Sequence, residues 1–299
     1  MLSERANLPQ DRHTIPPGIG ARKTTGLAGL DAVLGDLVPG ALVCMAGRPC
    51  MGKTALLLDA AIRIHRRYAT NVVFATAQEF PSEIIERAPL AARPALMEIP
   101  ALDVLRMRTH FSADSEPKIF IVDMHGVGAT WPHVIAHRLQ AEHPAGCGLM
   151  IANGWTVYPD RVTQVEVTIA GKRYRADFER PSLLLSAATF RASCRYSWRS
   201  RVTALFGIRT AENNEQWAGP RFSDLLHLSS AARKLTALTV LVHRPELYLA
   251  SGPESEAKRG LIELTNVHAN AGQSCRSELR YDEGEQGFHS ESSPRRPGE

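Results

Sequence analysis

The sequence has little of what marks secreted, zinc-binding or membrane proteins. Its five cysteines are an odd number without a C-x-x-C pair, which argues against a disulfide framework and against a zinc site. No apolar run is long enough to span a bilayer, and the N-terminus lacks the apolar segment of a secretory signal. These absences predict a cytoplasmic protein with reduced thiols and no membrane partner.

The net charge of +4 over 299 residues is also too small to demonstrate an anionic partner. Hydrophobic residues make up 44% of the chain, which is enough for a sizeable core. Proline and glycine in residues 1–23 predict a flexible leader or linker, and the polar residues 289–299 predict a disordered tail. The folded domain is therefore expected at 24–288.

One segment carries the strongest motif of the chain. It reads G-R-P-C-M-G-K-T and fits the phosphate-cradling P-loop (Walker A) pattern G-x-x-x-x-G-K-[ST]. An apolar strand is predicted before it at 41–46 and a helix after it at 54–68, the order that a triphosphate site requires. Lys53 would reach the terminal phosphates and Thr54 would hold Mg²⁺. The predicted nucleotide-binding residues are Gly47, Arg48, Pro49, Cys50, Met51, Gly52, Lys53 and Thr54.

Alternating strands and helices around this loop predict a doubly wound, parallel α/β sheet. Glu79 lies just past the carboxyl end of a predicted strand, where open sheets place groups that face a ligand. Asp123 ends the next predicted strand, as does the acid that serves Mg²⁺ in P-loop sites. The plainer alternatives are a surface acid that begins a helix for Glu79 and a turn acid for Asp123. Strands are predicted at 71–77, 118–123, 148–153, 238–242, 261–267 and 276–281, and helices at 25–35, 82–93 and 131–142.

The stretch 155–220 departs from this pattern and is predicted to be a divergent basic insertion. Residues 162–169 and 172–178 flank Ala170-Gly171 and predict a β-hairpin. Beyond it, arginines alternate with aromatic residues, a mixture that can follow a phosphate backbone while rings stack on bases. An arginine-rich solvated face over an ordinary core explains the mixture equally well. The candidate DNA-binding residues are Arg191, Arg195, Arg199 and Arg201.

Several segments together resemble the C-terminal ATPase domain of DnaB-type replicative helicases. The loop R-P-C-M-G-K-T is similar to that family's R-P-S-M-G-K-T, and Arg244 to Tyr248, R-P-E-L-Y, resembles its R-x-E-Y-Y. Three further segments also resemble the family: Thr25-Gly26-Leu27, which precedes the loop strand and is called the approach segment below, Glu79 to Glu83, and the tripeptide Ser223-Asp224-Leu225. The order of these segments holds across roughly residues 24–153 and 222–288.

The resemblance implies a RecA-like P-loop NTPase fold. Its sheet would be mostly parallel and twisted, with helices on both faces and antiparallel strands at the C-terminal edge. It also implies ATP and Mg²⁺ as cofactors, Glu79 as the general base that polarises the attacking water, and Asp123 as a metal ligand through water. The implied partners are single-stranded DNA and further copies of the chain in a ring or filament.

Departures from the family bear on activity. The family's trans-acting Lys-x-Arg pair aligns with His268 and Asn270, so the arginine finger is missing and turnover is expected to be slow. The polar segment expected after the fourth strand is reduced to Asn153-Gly154-Trp155, and residues 1–23 have no counterpart of the family's N-terminal helical domain. A weakly active or inactive ATP-binding assembly protein of the same fold is therefore an alternative. A P-loop kinase of a small substrate fits the approach segment and the C-terminal strands less well.

Overall fold

A ten-stranded sheet forms the centre of the fold in the computed structural model. Side chains are described for residues 23–37, 40–76, 79–100, 116–124, 142–153, 238–249, 252–266 and 275–290, except Leu42, and for the isolated positions 103, 135, 136 and 139. The backbone is also described for Leu42 and for three strands within 164–209. The bounds of the sheet strands are β1 Leu42–Gly47, β2 Asn71–Thr76, β3 Leu96–Ile99, β4 Ile119–Asp123, β5 Cys147–Asn153, β8 Thr203–Arg209, β9 Leu238–His243, β10 Leu261–Asn266, β11 Arg276–Asp282 and β12 Gly287–Ser290.

The strand order is β12-β11-β10-β9-β1-β8-β5-β2-β4-β3. All pairings from β9 to β3 are parallel, whereas β10, β11 and β12 join in antiparallel pairs. Every residue of β2 and β5 is buried, as expected for parallel strands that are covered on both faces. The predicted α/β class is confirmed, with a mostly parallel sheet and antiparallel strands at the C-terminal edge.

Of the four helices bounded below, the first three bury apolar side chains against this sheet, and the last buries none of its residues. The bounds are α1 Ala28–Leu34, α2 Lys53–Tyr68, α3 Pro81–Glu86 and α4 Pro253–Ala257. In α2 the buried side chains Leu57, Ala61 and Ile64 recur at helical spacing and join one core cluster with α1 and the strands. Three cations in the last turn of α2 suit the negative end of the helix dipole: His65, Arg66 and Arg67.

One local expectation was wrong, and one strand was not predicted. The helix predicted at 82–93 ends with α3 at Glu86, and a 3-10 helix, Leu90–Ala95, follows Pro89. Proline at 89 lacks the N–H that would continue the α-helical ladder, and Pro94 restricts the second segment in the same way. Strand β3, which no pattern predicted, then pairs with β4 at the edge of the sheet. The helix predicted at 131–142 lies mostly outside the described residues.

The stretch 155–220 contains both an expected and an unexpected element. The hairpin is present as β6 Gln164–Ile169 and β7 Lys172–Asp177, which form a separate two-stranded antiparallel sheet. Strand β8 was not predicted, yet it pairs with β1 on one side and with β5 on the other. Residues 203–209 therefore belong to the main sheet.

Candidate nucleotide site

The loop between β1 and α2 has the backbone geometry that its sequence predicts. Gly52 lies in the left-handed region at φ +79°, immediately before the first residue of α2. Cys50 also has a positive φ, +63°, which is uncommon for a residue with a Cβ. A Cβ on Gly47 would lie 2.5 Å from the carbonyl oxygen of Val242 in β9, so glycine is required there for close strand packing. The chain thus turns from strand to helix in five residues, with the amide end of α2 facing the turn.

Lys53 lies within this turn. Its Nζ donates hydrogen bonds to the carbonyl oxygen of Gly47 at 2.8 Å and to that of Arg48 at 2.6 Å. The two carbonyl groups hold the ammonium group beside the first amides of α2. This combination of a cation with the amide end of a helix is suited to an anion such as a phosphate chain.

A short segment after β9 supports the loop from the side. The Arg48 guanidinium lies 5.2 Å from the centre of the Tyr248 ring, and Tyr248 stacks on His243 with ring centres 5.6 Å apart. Arg244 donates from its backbone N–H to the sulfur of Met51 at 3.2 Å. The segment 244–248, whose sequence resembles R-x-E-Y-Y, therefore contacts the phosphate loop. Its sequence alone did not predict this contact.

His243 is buried in this support, and its Nδ1 has no hydrogen-bond partner among the described residues. Burial has the largest effect in lowering the pKa of His243, and the positive charges of Arg48 and Lys258 lower this pKa further. The neutral imidazole is therefore favoured beside the loop.

The carboxyl ends of the parallel strands bring several predicted residues to one edge of the sheet. In register, Gly47 pairs with Arg209, and Thr76 lies between Asn153 on one side and Asp123 on the other. Thr54, in the first turn of α2, donates its hydroxyl hydrogen to Asn153 Oδ1 at 3.2 Å. Asn153 is thus the strand-end side chain that meets the predicted Mg²⁺ ligand.

Asp123 occupies a different place from the one its motif suggested. Its strand β4 is two positions beyond β5 in the sheet, so its backbone is about 10 Å from that of Asn153 at the usual strand spacing. The structure brings Thr54 together with Asn153 and does not bring it into contact with Asp123. The metal-binding role of Asp123 stays a prediction. The sequence suggested this role because Asp123 ends an apolar run in the strand–helix alternation that follows the loop.

Glu79 follows β2 at the same edge. Its Oε1 accepts a hydrogen bond from Arg87 at 2.8 Å, and its side chain is 24% exposed. Its Oε2 is buried and has no hydrogen-bond partner within the described part of the chain. The carboxylate is therefore oriented by one cation and keeps one oxygen that could accept a proton or a water molecule. Its assignment as general base stays a prediction.

The remaining predicted residues lie outside the described ranges. They are the four candidate DNA-binding arginines and the two positions aligned with the trans-acting pair, namely Arg191, Arg195, Arg199, Arg201, His268 and Asn270.

The described residues fit a nucleotide triphosphate better than they fit a strongly held metal. The loop amides and Lys53 form a positively polarised cradle. The Thr54 hydroxyl, in the first turn of α2, and the Asn153 amide, at the end of β5, are both neutral. Mg²⁺ in nucleotide sites is usually coordinated by one or two carboxylates. Across the described ranges, no group of three or more His, Cys, Asp or Glu side chains could hold a metal ion.

Residues 23–141 match the family described as DnaB-like helicase C terminal domain. Over 140 residues, or 45% of this chain, the sequence is 31% identical to a protein described as Replicative DNA helicase DnaB from Rhodothermus marinus. That match covers 15% of the relative, so the chain corresponds to a small part of it. The predicted resemblance is confirmed over these residues.

Two solved structures show the same fold. The structure titled ATPase Domain of G40P has a TM-score of 0.65 at 16% identity, covering 90% of this chain and 91% of that chain. A second, titled The Structure Of A DnaB-Like Replicative Helicase And Its Interactions With Primase, has a TM-score of 0.63 at 16% identity. It covers 90% of this chain and 62% of the other. The RecA-like α/β fold is therefore confirmed. Within the described residues, no helix is both long enough and apolar enough to cross a membrane.

Proposed function

We propose that this chain is an ATP-binding domain of the DnaB-like helicase type, which hydrolyses ATP and couples hydrolysis to single-stranded DNA in replication. The premise is its resemblance to that family's C-terminal domain over residues 23–141. The observation that carries the proposal is the loop Gly47 to Thr54, which joins β1 to α2 with Lys53 held inside the turn. A phosphate chain is the ligand that such a loop accommodates.

In this function the loop amides and Lys53 bind the phosphates, and Thr54 offers its hydroxyl to Mg²⁺. When bound, Mg²⁺ neutralises charge that develops on the phosphate oxygens. Glu79, at the end of β2, orients the attacking water through its second carboxylate oxygen while Arg87 fixes the first. Hydrolysis needs little covalent chemistry from the protein, so these positions would account for most of the catalytic contribution within one subunit.

The DNA and assembly parts of the proposal rest on the sequence. Arg191, Arg195, Arg199 and Arg201 supply positive charge for a phosphate backbone. The relative in Rhodothermus marinus is described as a replicative helicase, which favours a ring or filament of copies. His268 and Asn270 at the expected trans positions predict slow turnover because they cannot supply an arginine finger.

The test combines steady-state ATP turnover, with and without single-stranded DNA, and size measurement with and without ATP. We expect an oligomer whose turnover rises when DNA is added. Glu79→Gln should retain ATP binding and lose turnover by about 100-fold or more, the range that general base catalysis contributes. Equal turnover in the variant and the parent would remove Glu79 from the mechanism. A monomer whose ATP turnover does not change when single-stranded DNA is added would contradict the helicase assignment.

A second candidate is an ATP-binding assembly or regulatory protein with little or no turnover. The neutral amide of Asn153 beside Thr54 favours it, as do His268 and Asn270. Its signature in the same experiment is an oligomer that forms with ATP and shows no DNA-stimulated hydrolysis.

A further inference from the structure

We propose that Asn153 is the strand-end group of the nucleotide site, and that its neutral amide makes nucleotide binding by this protein only weakly dependent on Mg²⁺. This inference rests on the proposed nucleotide site and concerns its metal requirement. It replaces the metal-binding role predicted for Asp123.

The first step is the contact between Thr54 and Asn153. Thr54 Oγ1 lies 3.2 Å from Asn153 Oδ1, and the Asn153 side chain is only 3% exposed. A buried amide that accepts from a hydroxyl is fixed in position, because losing that bond would leave both groups unsatisfied. The Thr54 hydroxyl hydrogen is therefore directed at Asn153, which leaves the lone pairs of the Thr54 oxygen available to other groups.

The second step concerns the carboxylates that could otherwise supply negative charge. Asp123 ends a strand two positions beyond β5, about 10 Å away along the sheet. Glu79 lies beyond the end of β2, the strand next to β5, and its Oε1 is engaged by Arg87 at 2.8 Å. Within the described residues, Thr54 has no hydrogen bond to a carboxylate.

The third step is the charge. Mg²⁺ binds hard anionic oxygens, and a neutral amide oxygen adds no net charge to its surroundings. One added negative charge at about 6 Å from a divalent cation would change its affinity by about tenfold even at the dielectric constant of water. A site with Asn153 in this place relies instead on Lys53 and the loop amides to bind the phosphates.

The experiment titrates a fluorescent ATP analogue into the full chain, in Mg²⁺ and in EDTA, and compares three proteins. We expect the parent to bind with similar affinity under both conditions. Asn153→Asp should increase the ratio of the affinity in Mg²⁺ to the affinity in EDTA by about tenfold, as one added charge near the cation predicts. Asp123→Asn should leave the ratio as it is in the parent.

Two results would overturn the inference. One is strong Mg²⁺ dependence of ATP binding in the parent, and its loss in Asp123→Asn would restore Asp123 as the metal ligand. The other is an unchanged ratio in folded Asn153→Asp. Because burial of an acid can prevent folding, circular dichroism checks each variant, and the comparison of the parent in Mg²⁺ and in EDTA tests the inference without any variant. Absence of ATP binding in every protein and condition would instead overturn the proposed nucleotide site, and with it the inference.

Discussion

At the scale of single residues, Tyr248 links the phosphate loop to the rest of the sheet. Its ring contacts both the guanidinium of Arg48 and the imidazole of His243. The cation–π contact with Arg48 and the stacking on His243 together restrict the orientation of Tyr248. Because Arg48 belongs to the loop and His243 ends β9, a change in the charge of the imidazole would act on the loop directly.

The charge of His243 gives a pH prediction. Its pKa is lowered in the folded protein, by burial first and then by Arg48 and Lys258, so the unfolded chain binds a proton more readily. The folded state should therefore lose stability as the pH falls below about 6.5, the ordinary pKa of histidine, until the folded pKa is reached. Thermal unfolding at about pH 7.5 and about pH 5.5 measures this loss.

His243→Gln should reduce the fall in Tm between the two pH values, by roughly 2 to 4 °C for each kcal/mol that the histidine contributes. His289→Gln is the matched control, because the His289 side chain is 51% exposed. An equal fall in Tm in the parent and in His243→Gln would contradict the explanation.

At the scale of secondary-structure elements, the close packing of β1 against β9 fixes the start of the loop. The last residue of β1 is Gly47, and the space for its missing Cβ is filled by the backbone of Val242. A backbone carbonyl cannot move aside as a flexible side chain can, so the two strands would have to separate to admit a methyl group.

Gly47→Ala should therefore lower the free energy of unfolding by roughly 1 to 3 kcal/mol, the usual cost of overpacking, and weaken nucleotide binding. Urea unfolding measures the first effect. The control is Gly252→Ala, since a Cβ at Gly252 would meet no atom within 4 Å. Similar stability in the two variants would show that the β1 and β9 backbones are not held as closely as the structure indicates.

The elements also show what the sequence could predict. Strand β1 and helix α2 follow from an apolar run, a glycine loop and a 3.6-residue pattern, all of which are local. Strand β8 could not be predicted in this way, because its residues lie among arginines and aromatic side chains that also suit a DNA-binding surface. Its place between β1 and β5 depends on pairing with distant strands, which local patterns do not encode.

At the scale of the whole molecule, strand order decides which side chains share the site. The sequence correctly predicts the loop and the class of the sheet. It does not predict that β5 lies closer to β1 than β4 does, because the order of parallel strands differs from their order along the chain. For this reason the sequence alone favours the strand that ends in Asp123, whereas the contact of Asn153 with Thr54 follows only from the strand order.

The same sheet edge gathers the loop, Asn153 and Glu79, and the central claim is that ATP binds there. ATP binding to the whole chain, followed by calorimetry, tests this claim most directly when the parent is compared with Lys53→Ala. The control is Lys118→Ala, whose lysine donates to the carbonyl oxygen of Pro94 far from the loop. We predict saturable binding to the parent and to the control, and affinity at least about 100-fold lower, or about 2.7 kcal/mol, for Lys53→Ala. Unchanged affinity in Lys53→Ala would contradict the account.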